Sequence, residues 1–118
     1  MKKFIRGFYF AFSGLGYAFK TQRNFRVHCA AAVIVSVLSY YLNLNTSEWL
    51  WIIAAMAIVL IAELMNTSIE TLVDLISPEY HVKAGIAKDV AAAMVLLSAI
   101  TALIIGAIIL LPKIIDAA

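Results

Sequence analysis

Three stretches of this chain contain no Asp, Glu, Lys or Arg: the 21 residues Val27–Ser47, the 14 residues Trp49–Ala62 and the 23 residues Val90–Pro112. A helix of about 20 apolar residues crosses the roughly 30 Å hydrocarbon core of a bilayer. The first and third stretches predict spans on their own. The second predicts one only if it continues through Glu63, which puts that carboxylate inside or at the edge of the apolar layer. Hydrophobic residues make up 64% of the 118-residue chain and charged residues 14%. That balance argues against a water-soluble globule. The expected fold is all-α and membrane-integral, with one domain over residues 1–118.

The pattern divides the chain further. Residues 1–25 are cationic and aromatic, with Phe4, Phe8, Tyr9, Phe10, Phe12, Tyr17 and Phe19. They suit an amphipathic helix lying on the membrane surface, either as an anchor or as a wall of a site. Spans are expected over 26–43, 48–69 and 90–111, the second continuing as helix to Leu75. Ser77-Pro78 predicts a break, because proline disfavours helix in the residue before it. Glu79–Ile86 reads as a short polar loop. The third span is expected to start near Ala87 and to end before Pro112. Ala91–Ala93 and Ser98 are small enough for close helix contacts.

Charge sets an orientation. Lys2, Lys3, Arg6, Lys20, Arg23 and Arg26 precede the first span, and Lys83 and Lys88 lie between the second and third. Only Lys113 follows the third. By the positive-inside rule the amino terminus is cytoplasmic and the carboxyl terminus outside. Tyr40, Tyr41, Trp49 and Trp51 then mark the outer boundary, where interfacial aromatics collect. No cleavable signal peptide is expected. Cys29 is the only cysteine, which excludes an intramolecular disulfide and suits a small packing residue.

One segment breaks the apolar rule. In Glu63-Leu-Met-Asn66-Thr-Ser-Ile-Glu70-Thr-Leu-Val-Asp74, helical geometry puts Glu63, Glu70 and Asp74 within about 40° of one another, with Asn66 and Thr67 alongside. Leu64, Met65, Leu72, Val73 and Ile76 occupy the other faces. An ionisable group at membrane depth costs on the order of 3 kcal/mol and rarely persists without a function. Gln22, Arg23, Asn24, Arg26 and His28 start the first span, and Lys88-Asp89 stand just before the third. Three helix ends therefore meet at one level. Carboxylates with oxygen neighbours suit Mg²⁺ carried with substrate phosphates. Lys and Arg suit a polyphosphate. A carboxylate at the membrane edge suits proton abstraction from a lipid hydroxyl. These parts describe phosphoryl transfer at an interface. No glycine-rich phosphate loop or kinase catalytic loop is present, so a nucleotide site must be of another kind. Taken singly, Glu63 suits a structural hydrogen-bonding role equally well. His81 suits a solvated loop residue, His28 an interfacial residue and Lys83 an orientation charge.

The 63–74 segment, Glu79-Tyr80-His81 and Ala87-Lys88-Asp89 resemble the bacterial membrane-integral diacylglycerol kinase family. Arg23-Asn24-Phe25-Arg26-Val27-His28 resembles its Gram-positive branch, whose members phosphorylate undecaprenol. The resemblance covers nearly the whole chain. It implies a homotrimer of subunits with a surface helix and three spans, active sites shared between neighbours, and a bacterial cytoplasmic membrane location. It implies ATP as phosphoryl donor, Mg²⁺ as cofactor and a lipid alcohol as acceptor, with no nucleic-acid partner. By position, Glu63 matches the catalytic base and Glu70 a Mg²⁺ ligand. Lys3, Phe10, Gln22, Glu70, Glu79, Tyr80, His81, Lys88 and Asp89 match ATP contacts. Asn24, Phe25, Arg26, Val27 and His28 match the lipid-facing site together with Glu63, while Asn66 and Asp74 support it. Position 22 carries glutamine where the family has a metal-binding glutamate, and an amide oxygen can ligate a hard cation but brings no charge. Phe10 stands where some members have tyrosine.

Three other readings compete. The same machinery would serve diacylglycerol. A proton- or ion-conducting ring subunit also carries an intramembrane acid, but usually as a two-span hairpin with a mid-span carboxylate. A structural membrane protein would not need four polar groups in helical register.

Overall fold

The computed structural model describes all 118 residues as four helices: α1 Lys2–Thr21, α2 Arg23–Tyr41, α3 Thr46–Ile76 and α4 Val82–Ala117. The molecule measures 54 × 42 × 21 Å. There are no strands.

One extended residue, Gln22 (φ −109, ψ 106), ends α1 and begins α2. The last carbonyls of a helix lack internal partners and need another donor. Arg26 supplies it by reaching back across the Gln22 joint. Its Nη1 donates to the carbonyl oxygens of Phe19 (2.8 Å) and Lys20 (3.1 Å). The guanidinium thereby ties the angle between α1 and α2.

The turn from α2 to α3 uses Asn43 in the left-handed region (φ 55), which asparagine tolerates better than most residues. Asn45 then caps α3 reciprocally. Its side-chain oxygen accepts from the Glu48 N–H at 2.9 Å, and its own N–H donates to Glu48 Oε1 at 3.0 Å. This capping box satisfies two otherwise free donors.

At 31 residues, α3 is about 46 Å long, and Glu63 lies about 26 Å from its start. The helix ends at Ile76, as the Ser77-Pro78 break predicts. α4 departs from expectation at both ends. It begins at Val82 rather than near Ala87, because the His81 ring accepts the Lys83 N–H at Nδ1 (3.1 Å) and caps the first turn. It also passes through Pro112 to Ala117. A proline inside a helix removes one backbone donor, the one that would serve Ile108. Here only one further turn remains, so the kink has little helix to disturb.

α3 and α4 form the principal packed pair, and α2 lies against α3. Buried small residues, Ala55 and Ala62 on α3 and Ala91 and Ser98 on α4, suit close approach of helix backbones. Leu44, Ile52 and Leu110 form a core at the end remote from Glu63, with Trp49, Met56 and Ile109 packed round it. Elsewhere large apolar side chains face outward, among them Val90, Leu96, Leu97, Leu103 and Ile108 of α4.

α3 and α4 are long and apolar enough to cross a membrane. The expected first span, residues 26–43, corresponds to α2, which is not apolar enough to join them on that measure. Its 19 residues include Arg23, Asn24, Arg26 and His28 at one end and Tyr40 and Tyr41 at the other.

Candidate active site

The acidic stripe of α3 changes character along its length. Glu63 is buried, with a side chain only 3% exposed. Thr67, one turn on, is also buried, and its hydroxyl donates to the Glu63 carbonyl at 2.9 Å. Thr71 repeats the bond to Thr67 at 2.7 Å. These back-bonds spend the hydroxyls on the helix itself and leave the carboxylate unencumbered. Asn66 Nδ2 donates to Glu70 Oε1 at 3.3 Å, an i, i+4 pair. Asp74 accepts a bond from Lys88 of α4.

Two acceptors in this stripe have no hydrogen-bond partner although they are buried: Glu63 Oε1 and Asn66 Oδ1. His28 of α2 brings Nε2 to 3.4 Å from Glu63 Oε1. That is an ion-pair distance, but it falls short of a hydrogen bond. Buried polar groups are normally satisfied, and an orphan calls for an explanation. Oxygen-only donors here, Glu63, Asn66 and Glu70, are of the kind that Mg²⁺ and phosphate-bound Mg²⁺ accept. No three His, Cys, Asp or Glu side chains converge on one point in this chain.

The remaining residues singled out from sequence fall into two groups. Gln22 lies half-buried in the α1–α2 joint, where Nε2 donates to Thr21 at 3.2 Å, and no hydrogen bond links it to Glu70. Phe25 is buried, Arg26 caps α1, and Asn24 and Val27 are exposed. Lys3 is exposed in the first turn of α1. Phe10 faces α3, lining a groove of about 550 Å³ with Leu64, Thr67, Leu72 and Leu75. Glu79, Tyr80 and His81 form the exposed α3–α4 link, with the Glu79 carbonyl accepting from Ser77 Oγ at 3.0 Å. Asp89 is exposed beside Lys88. The Lys88 ammonium donates to Asp74 and so links α4 to α3. Asp74 is exposed and Lys88 partly so, and the pair therefore contributes little to stability.

A second groove, about 570 Å³, was not foreseen. α2 and α4 both rest on α3 but scarcely on each other, and the gap between them is lined by His28, Ala32, Val35, Met56, Val59, Ala102, Gly106 and Leu111 among others. It begins beside the Glu63–His28 contact and runs toward the Leu44–Ile52–Leu110 core. The only sequence signal for it is the string of small residues Ala31, Ala32, Ala99, Ala102, Gly106 and Ala107, which keep its walls apart.

Comparison with known proteins follows the same lines. Residues 9–110 match the family model described as prokaryotic diacylglycerol kinase. A diacylglycerol kinase of Synechocystis sp. is 43% identical over 110 residues, covering 92% of this chain but 63% of that protein, so this chain spans less than two thirds of that relative. An undecaprenol kinase of Bacillus subtilis is 38% identical over 113 residues, 96% of this chain and 92% of the relative. A diacylglycerol kinase of Escherichia coli is 32% identical over 108 residues, 92% of this chain and 88% of the relative. With nearly the whole helical bundle and its acidic stripe inside the matched region, the chain belongs to the prokaryotic diacylglycerol kinase family, a family of lipid kinases.

Proposed function

We propose that this protein transfers the γ-phosphoryl group of ATP to the hydroxyl of a membrane lipid alcohol, with undecaprenol as the acceptor and undecaprenyl phosphate as the product. One observation carries the reading. A buried carboxylate, Glu63, keeps an oxygen free of hydrogen bonds beside His28, which lines an apolar groove, and along a stripe of further oxygen donors. A general base must reach the proton it removes, and a groove of this composition suits a hydrocarbon chain. Glu63 takes the hydroxyl proton as the oxygen attacks phosphorus. Asn66 and Asp74 support it, by orienting Glu70 and by holding Lys88. Lys3, Phe10, Gln22, Glu70, Glu79, Tyr80, His81, Lys88 and Asp89 bind the nucleotide. Asn24, Phe25, Arg26, Val27 and His28 border the acceptor. Glu70 and the Gln22 amide oxygen are the residues that would hold Mg²⁺, which would offset phosphate charge there.

The resemblance to the family supports a homotrimer whose sites are completed by a neighbour. Eight of nine Lys and Arg residues lie at the Glu63 end of the sequence pattern. That bias supports a cytoplasmic amino terminus, α1 on the inner surface, α2, α3 and α4 as spans, and an outer carboxyl terminus. Impermeant thiol labelling in cells, after Cys29 is replaced, should then modify a cysteine at position 45 and spare one at position 83. The reverse pattern overturns the topology.

A second acceptor has its own support. The Synechocystis relative named as a diacylglycerol kinase is 43% identical to this chain. Undecaprenol is preferred because Arg23–His28 resembles the branch that uses it. The test is labelled phosphate transfer from ATP in mixed micelles to undecaprenol, a short polyprenol and diacylglycerol. Faster turnover of the two polyprenols supports the reading. Faster turnover of diacylglycerol transfers the assignment to that lipid, and no transfer to any of them ends it.

A further inference from the structure

We infer that Arg26 is a positioning residue: by gripping the end of α1 it sets the angle of that helix and so holds Lys3 and Phe10 in place for the nucleotide. The inference rests on the reading of α1 as a wall of the nucleotide site. Little else holds α1. Ala18, in its last turn, is its only buried residue. Toward the amino terminus an open groove of about 550 Å³, lined by Phe10, Gly14, Ser68 and Leu75 among others, runs between α1 and α3. A Cβ added at Gly7, Gly14 or Gly16 would meet nothing within 4 Å. No salt bridge reaches α1. The two bonds from Arg26 are its only side-chain hydrogen bonds to another helix.

The joint explains the grip. Gln22 is the single extended residue between α1 and α2, and its N–H closes the last backbone bond of α1, to Ala18 at 2.8 Å. Its side chain turns back to Thr21 and crosses nothing. The extended backbone at Gln22 carries the following N–H groups away from α1, and Arg26 Nη1 serves the Phe19 and Lys20 carbonyls instead, at 2.8 and 3.1 Å. A guanidinium at the carboxyl end of a helix matches the helix dipole, and its hydrogen bonds there are charge-assisted. Arg26 is seated in the first turn of α2 beside the buried Phe25, so α1 is tied to a helix packed on α3. Leverage makes the tie matter. Phe10 lies about 14 Å and Lys3 about 24 Å along α1 from Phe19. A swing of about 10° at the joint therefore moves them by about 2 Å and about 4 Å, enough to break a hydrogen bond. Arg26 stands among residues that border the acceptor, yet its guanidinium is engaged by α1. Its loss should therefore be felt by ATP rather than by the lipid.

The test compares wild type, Arg26→Gln, Arg26→Lys, Lys3→Met and Phe10→Ala in micelles. Steady-state kinetics are joined to a distance measurement on wild type and the Arg26 variants. Spin labels at Ile5→Cys on α1 and Tyr40→Cys on α2, both exposed positions, report the angle between the helices in a Cys29→Ala background. Labelled chains are diluted with unlabelled ones so that only distances within one chain are read. Wild type should give one narrow distance, and Arg26→Gln a broadened or displaced one. KM for ATP in Arg26→Gln should rise on the order of 10-fold, as when about a tenth of the molecules hold α1 correctly. Its kcat and its KM for the acceptor should each stay within about 2-fold of wild type. Thermal unfolding checks that each variant is folded. Arg26→Lys keeps the cation but not the planar fork, and it serves if Arg26→Gln is not folded, with a smaller shift of the same sign. A raised acceptor KM at normal KM for ATP would make Arg26 a lipid contact and overturn the inference. So would an unchanged distance in the folded variant, or a normal KM for ATP despite a broadened distance. A normal KM for ATP in both Lys3→Met and Phe10→Ala would instead remove the reading on which the inference rests.

Discussion

Two glutamates along α3 each stand beside a basic side chain, and the molecule treats them in opposite ways. Glu48, at the start of α3, accepts from the Asn45 backbone and lies 3.3 Å from Lys113 of α4. Its carboxylate closes a capping box, and the nearby core of Leu44, Ile52 and Leu110 packs the helices together. Glu63, further along α3, is more deeply buried, yet one of its oxygens has no hydrogen bond. The one orphan at the Glu48 end is a neutral hydroxyl, Ser39 Oγ. Leaving a charged group unsatisfied costs more than leaving a hydroxyl so. An arrangement selected only for stability would have satisfied Glu63 first. One glutamate belongs to a fastener and the other to a reaction site.

This contrast can be broken at either end. The largest effect is expected from Glu70→Gln, which removes the carboxylate beside Asn66. ATP-dependent transfer should fall on the order of 10³-fold with unfolding temperature nearly unchanged. Titrating Mg²⁺ in the variant checks this, and retained turnover at ordinary Mg²⁺ would detach Glu70 from the site. Lys88→Met should raise KM for ATP about 10-fold, equivalent to about 1.4 kcal/mol, through loss of a charge-assisted contact. Because Asp74 is exposed and Lys88 partly so, the stability effect should stay within about 1 kcal/mol. A large drop in unfolding temperature with normal KM would make the pair structural.

At the Glu48 end the signs reverse. Asn45→Ala should cost about 1 kcal/mol of stability by opening the capping box, while kcat and KM stay at wild-type values. Thermal unfolding and turnover on one preparation decide it. The smallest effect is Ser39→Ala. Removing a buried hydroxyl that has no partner should raise stability by up to about 1 kcal/mol. A lowered unfolding temperature would mean that the hydroxyl is satisfied in the assembled protein.

The Glu63 half of this contrast is legible in the sequence, whereas the Asn45–Glu48 capping box and the Glu48–Lys113 pair are seen only in the fold. The uncharged runs mark α3 and α4, and the register of Glu63, Asn66, Thr67, Glu70 and Asp74 marks the stripe. What was hidden depends on contacts distant in sequence or on unusual chemistry. Histidine is an uncommon helix cap, so the early start of α4 at Val82, capped by His81, left no pattern to read. The reach of Arg26 to Phe19 and Lys20 depends on the bend at Gln22, which no periodicity encodes. The Glu63–His28 contact joins residues 35 positions apart on different helices. The groove beside it is a gap between helices, and only its small residues hinted at space. Pro112 read as a terminator because a proline's cost depends on how much helix follows, which the residue alone does not state.

The most direct test of the account sets the two glutamates against each other. Labelled phosphate transfer from ATP to undecaprenol is measured for Glu63→Gln and Glu48→Gln in parallel, with thermal unfolding of both. Glu63→Gln should lose at least about 10²-fold in kcat while remaining folded. Glu48→Gln should unfold at lower temperature yet turn over within about 2-fold of wild type. Equal turnover in the two variants, with Glu63→Gln folded and as active as wild type, would contradict the account.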